Sequence, residues 1–146
     1  MYTLTTPQKN DYPTLLAIWE ASVRATHDFL NEDDIAFFKR IIQEKEIFDH
    51  VQLTTVQNEE ADILGFMGIL GNSLEMIFLA PHARGRKIGR LLLRHGLDQF
   101  HVTKVDVNEQ NEEALKFYEH FGFKVVSRSE LDATGKPYPI LHMELE

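Results

Sequence analysis

The chain has 146 residues, 43% of them hydrophobic, which suits one sizeable core and a single compact domain over residues 1–146. A formal net charge of -8 and a pI near 5.3 set the molecule as a whole against nucleic-acid backbones and anionic bilayers, so neither nucleic acid nor membrane is expected as a partner. Cysteine is absent, which excludes disulfides, thiolate metal sites and a cysteinyl nucleophile. Residues 1–10 contain no continuous apolar stretch, so neither a signal peptide nor a membrane span is expected and the cytoplasm is the default location.

Tyr2 and Leu4 alternate with polar neighbours as in a short first strand, and Asp11-Tyr12-Pro13-Thr14 reads as a turn into a helix. Leu15, Leu16, Trp19 and Val23 recur at helical spacing to about Arg24; Ile35, Phe38, Ile41 and Ile42 mark a second helix after Glu32-Asp33-Asp34. Residues 51–56, 63–70 and 74–79 read as three strands of an antiparallel meander, with Gly71-Asn72 as a tight turn. A glycine-bearing loop then leads into a helix over 89–99, a strand over 102–107 and a helix over 111–121. Strands over 123–127 and 140–145 follow, joined through Asp132-Ala133-Thr134-Gly135. The order β-α-α-β-β-β-α-β-α-β-β, without repeats or low-complexity tracts, describes a mixed α/β (α+β) fold.

Met76-Ile77-Phe78-Leu79 is apolar on both faces, as expected of a buried central strand, and runs into Ala80-Pro81-His82-Ala83-Arg84-Gly85-Arg86-Lys87-Ile88-Gly89-Arg90. The unpaired N–H groups and dipole of a helix start make a natural seat for a phosphate or pyrophosphate. Gly85 and Gly89 permit close backbone approach, and Arg84, Arg86, Lys87 and Arg90 gather positive charge on an acidic background. The same residues also suit a basic, solvated loop that turns on its glycines. Neither a P-loop nor a dinucleotide-binding glycine pattern is present.

This segment resembles the acetyl-CoA signature of the GNAT superfamily, R/Q-x-x-G-x-G/A, set after a strand ending two residues before proline. Arg84, Ile88 and Gly89 match, and Lys87 stands where the family usually has its first glycine. Lysine keeps its backbone N–H, provided the local dihedrals accept a residue with a Cβ. Residues 108–123 resemble the second signature: Asn111, Ala114 and Tyr118 lie along one helical stripe, followed by Gly122-Phe123. Read alone, Tyr118 also suits a half-buried packing aromatic. Trp19, Ser22, Ala25-Thr26-His27-Asp28-Phe29-Leu30, Asn108 to Asn111 and Gly135-Lys136-Pro137-Tyr138-Pro139 are similar to the small bacterial YjaB-type branch.

The resemblance implies a GNAT fold, a mixed central sheet of about seven strands flanked by about four helices. It implies an N-acetyltransferase with acetyl-CoA as acetyl donor, a small-molecule or peptide amine as acceptor, and direct attack in a ternary complex by a monomer or homodimer. The cofactor residues it nominates are Phe78, Leu79, Arg84, Gly85, Arg86, Lys87, Ile88, Gly89, Arg90, Asn111, Ala114 and Tyr118. Tyr118 would protonate the departing thiolate, and a backbone N–H near Leu79 would stabilise the carbonyl charge. Glu75, six residues before Pro81, stands where small-molecule members carry their base; it also suits an ordinary solvated residue beyond the Asn72 turn.

For the acceptor pocket the resemblance nominates Trp19, His27, Phe29 and Tyr138, although Trp19 also fits the apolar stripe of its helix. No metal is expected, since none of the seven histidines lies in a His-Glu-x-x-His pattern. Two rival readings share the fold. One is a non-catalytic acyl-CoA-binding module; the other is a tRNA-acetylating toxin, which should carry a basic surface.

Overall fold

The computed structural model describes residues 1–145. Its elements are β1 (Thr3–Thr5), α1 (Tyr12–Thr26), α2 (Glu32–Glu44), β2 (Gln52–Gln57), β3 (Ile63–Leu70), β4 (Ser73–Leu79), α3 (Ile88–Phe100), β5 (Lys104–Asn108), α4 (Glu112–His120), β6 (Phe123–Ser129) and β7 (Ile140–Leu145). The order read from the sequence holds. Three short 3-10 segments, Lys9–Asp11, Ile47–His50 and Pro81–Ala83, are additions that hydrophobic periodicity does not register because each is a single turn.

The strands form one seven-stranded sheet in the order β1-β2-β3-β4-β5-β7-β6. Every neighbouring pair is antiparallel except β4 and β5. The core runs through Leu15, Val56, Phe66, Met67, Leu92, Leu93, Phe123 and Met143, each buried almost completely. Gly96 faces the sheet, where a Cβ would sit in ordinary contact with Met67 Sδ at 3.4 Å and Ile69 Cδ1 at 3.5 Å. Helix starts follow local chemistry. Asn31 caps α2 by accepting from Asp34 N–H at 2.8 Å, and the Asp34 carboxylate accepts in return from Asn31 N–H at 3.3 Å.

The sheet is interrupted where function is expected. The parallel pairing of β4 with β5 consists of Ser73↔Lys104 and Leu74↔Val105. In the ladder between β3 and β4, Gly68 pairs with Met76 and Ile69 with Leu74, which leaves Glu75 as the unpaired residue of a bulge. A bulge bends its strand and sharpens its twist, so β4 leaves β5 at Glu75. This corrects the expectation of a fully buried central strand: residues 76–79 are half-buried because they wall the cleft that the parting strands open. Among the described residues no helix is long and apolar enough to cross a membrane.

Candidate active site

The cleft between β4 and β5 has a volume of about 330 Å³ and is walled by Glu75, Phe78, Leu79, Arg84, Gly89, Asn108, Asn111, Ala114, Phe117 and Tyr118, among others. Ala80 N–H donates to Leu64 O at 2.8 Å, so by antiparallel alternation the N–H groups of Ile77 and Leu79 point away from β3 and toward the cleft. A backbone donor at Leu79 thus faces the cleft.

At the end of the cleft, α3 begins without any side-chain cap. Its first-turn N–H groups are left for another acceptor. Lys87, the residue before the helix, has φ 64° and ψ 20°, the left-handed conformation that glycine adopts freely, and Gly85 is left-handed as well at φ 80°. The loop thus keeps a glycine-type shape with lysine in it, at a strain of about 1 kcal/mol. Arg84 reaches back to the first turn of α4 and pairs with Glu113 at 2.5 Å. Arg86, Lys87 and Arg90 are exposed around the loop, Arg90 donating to His120 Nε2 at 2.8 Å, while the Ile88 side chain is core, so only its backbone can serve a ligand.

Asn111 proves to be the cap of α4, accepting from Ala114 N–H at 3.2 Å. Capping orients the helix so that Ala114 and Tyr118 face the cleft. Tyr118 is buried, its ring edge-on to Phe117 and Phe123, and burial pushes its hydroxyl well above the ordinary phenol range. It remains a proton carrier at neutral pH. Glu75 is more exposed, and its carboxyl is raised by partial burial first and by the charge of Asp106 second.

A second cavity, of about 560 Å³, lies between α1, α2 and the far strands. Trp19 is 6% exposed and lines it, so the residue is both core and pocket wall. His27 lines both cavities; burial lowers its pKa, and its Nδ1 lies 2.7 Å from Thr26 Oγ1. Phe29 stands behind this wall, with its ring 5.3 Å from His27 and 5.7 Å from Tyr138. The Tyr138 hydroxyl donates to buried Asp34, which also holds Lys136 at 3.2 Å, strapping the β6–β7 loop to the start of α2.

The two cavities meet at His27, Phe78, Asp106 and Asn108. Asp106, Ser129 and His142 were missed as site residues by sequence reading. The signal for Asp106 was a polar residue alternating with valines in Val105-Asp106-Val107, and for His142 a polar residue between Leu141 and Met143, patterns that any strand with one solvated face would show.

A mixed sheet split after its fourth strand, with an uncapped helix start at the mouth of the split, defines an acetyltransferase of the GNAT class. The profile of the acetyltransferase (GNAT) domain matches residues 26–146, and the chain belongs to that family. Peptidyl-lysine N-acetyltransferase YjaB of Escherichia coli (strain K12) is 40% identical over 129 residues, covering 88% of this chain and 86% of the relative. Its counterpart in Salmonella typhimurium is 38% identical over 88% of each chain. The solution structure of apo-form YjaB from Escherichia coli superposes with a TM-score of 0.88 at 36% identity, covering 99% of this chain and 97% of that one. The chain is thus an N-acetyltransferase of a family whose acyl donor is acetyl-CoA, and the non-catalytic binding-module reading is not favoured. The parted strands and uncapped helix start fit the extended arm and pyrophosphate of such a donor.

Proposed function

We propose that the chain transfers the acetyl group of acetyl-CoA to the ε-amine of a lysine in a peptide or protein, by direct attack within a ternary complex. The observation that carries this reading is the junction of the two cavities at His27, Phe78, Asp106 and Asn108, which lets a donor in one and an acceptor in the other meet. The relatives' peptidyl-lysine activity supports the choice of acceptor. So does the mainly apolar wall of the second cavity, with Val23, Leu30, Phe38 and Ile140, which suits a four-carbon stem.

When bound, the thioester supplies an activated acyl carbon. The chain's residues do the rest. The α3 start and the loop from Arg84 to Lys87 would hold the anionic end, and Leu79 N–H, which faces the cleft, would stabilise charge on the carbonyl oxygen. A lysine amine of pKa about 10.4 is neutral in only about one part in a few thousand at pH 7. Glu75, a carboxylate of raised proton affinity beside the cleft, relieves the acceptor of its proton directly or through water. Tyr118 protonates the leaving thiolate.

The test is incubation with acetyl-CoA and an N-terminally blocked lysine peptide, read by mass spectrometry. Acetylation of the lysine is expected. Transfer to polyamines or free amino acids but not to the peptide would move the assignment to a small-molecule acceptor, and no transfer to any amine would overturn it.

A further inference from the structure

Asp106 lies on β5 just where that strand has parted from β4, directly opposite His142 on β7. Among the described residues it is the one carboxylate lining both cavities: Glu75 and Glu113 line only the cofactor cleft, and Asp132 only the acceptor pocket. Its Oδ1 is 2.7 Å from His142 Nδ1, and His142 Nε2 is 2.7 Å from Ser129 Oγ on β6. An ionised carboxylate only accepts, so Nδ1 carries the proton; in the neutral ring Nε2 then accepts from the Ser129 hydroxyl. The chain of bonds fixes one oxygen of Asp106. Oδ2 takes no hydrogen bond from the described residues.

Of the other charges near the pocket, Lys136 is bound to Asp34 and Arg128 to Glu109. Asp132 Oδ1 accepts from Thr134 N–H at 2.9 Å and Lys136 N–H at 3.0 Å, which ties that carboxylate to its own loop, and it lines the acceptor pocket away from the junction with the cleft. Among the described residues the pocket lining includes no lysine or arginine. Its walls are otherwise largely apolar. A mainly apolar channel that meets the cofactor cleft at an oriented, half-free carboxylate selects a cation on an apolar stem.

We propose that Asp106 binds the ammonium group of the acceptor, and that His142 and Ser129 are positioning residues that hold its carboxylate toward the junction of the cavities. The inference rests on the N-acetyl transfer proposed above and names the residue that makes the reaction selective for cationic amines.

The test compares wild type with Asp106→Asn on two acceptors, N-α-acetyl-lysine amide and an arylamine that is uncharged at pH 7, with acetyl-CoA affinity followed by calorimetry. The Asp106 side chain is 59% exposed, so the fold does not hinge on it. In Asp106→Asn the KM for the lysine amide should rise at least about fivefold, with kcat changed less than KM. The KM for the arylamine and the affinity for acetyl-CoA should stay near wild type. His142→Asn, which keeps an N–H donor toward Asp106, should hold KM near wild type, whereas His142→Leu should raise it as Asp106→Asn does. An unchanged lysine-amide KM, or an equal rise for both acceptors, overturns the inference while leaving acetyl transfer standing. A wild-type protein that acetylates neither acceptor overturns both.

Discussion

Arg84 Nη2 lies 2.5 Å from Glu113 Oε1, so an ion pair joins the loop before α3 to the first turn of α4 across the cofactor cleft. If Arg84 engages the pyrophosphate, as proposed, the Glu113 carboxylate competes for it. The side chain of Glu113 is 75% exposed, which keeps the pair weak, in the range of about 0.2–1 kcal/mol. Glu113→Gln should therefore tighten acetyl-CoA binding by up to about fivefold, measured by calorimetric titration at low ionic strength. A fall in affinity would mean that Glu113 serves to hold Arg84 in place.

Lys87 adopts a positive φ that costs a residue with a Cβ about 1 kcal/mol, so Lys87→Gly relieves strain while adding freedom to the unfolded chain. The two effects oppose each other, and a net gain of at most about 1 kcal/mol is expected. A thermal melt should show a rise of no more than about 4 °C. Because the loop already has its glycine-type shape, acetyl-CoA affinity should change by less than about tenfold, or 1.4 kcal/mol. An undetectable wild-type interaction rescued by glycine would show that lysine spoils the seat.

Tyr118→Phe keeps the packing against Phe117 and Phe123 and deletes only the hydroxyl that faces the cleft. Melting temperature and acetyl-CoA affinity should stay near wild type. The leaving thiolate carries charge only as the thioester bond breaks, so the loss should appear in kcat, by about 10²-fold. A thioester whose thiol leaves more readily should recover part of the rate. Unchanged kcat in steady-state assays would make Tyr118 a packing residue.

The strap between Asp34 and Tyr138 carries a pH signature. The hydrogen bond from Tyr138, followed by those from Lys136 and the Asn31 backbone, holds the Asp34 carboxyl below its usual range. A depressed folded pKa gives stability that is complete above the unfolded value near about 3.9 and is lost as pH falls through the folded one. The Tyr138 hydroxyl is raised, by Asp34 first, so its share is present below about pH 10 and is lost as pH rises past its folded value. Melting temperature followed from about pH 6 to pH 2.5 should fall more steeply in wild type than in Asp34→Asn. Superimposable profiles would remove the strap from the acid response.

The two signature segments and most helices and strands were legible in the chain because their determinants are local. A basic loop with Gly85 and Gly89 leading into an apolar-periodic helix is written within a dozen residues, and Asn111, Ala114 and Tyr118 share a helix face through a fixed rise per residue. Helix ends were read less closely: α2 begins at Glu32 behind the Asn31 cap, and Asn111, read as the first helical residue, is the cap of α4. What only the tertiary structure decided is set by strand register. The bulge at Glu75 depends on how β4 pairs with β3, and the cleft on where β5 stops following β4. Asp106, His142 and Ser129 come from three strands, and Tyr138 finds Asp34 across 104 residues. An alternating strand pattern says which side of the sheet a residue faces but not which residue on the next strand lies opposite, because pairing is settled by the packing of the whole sheet against its helices.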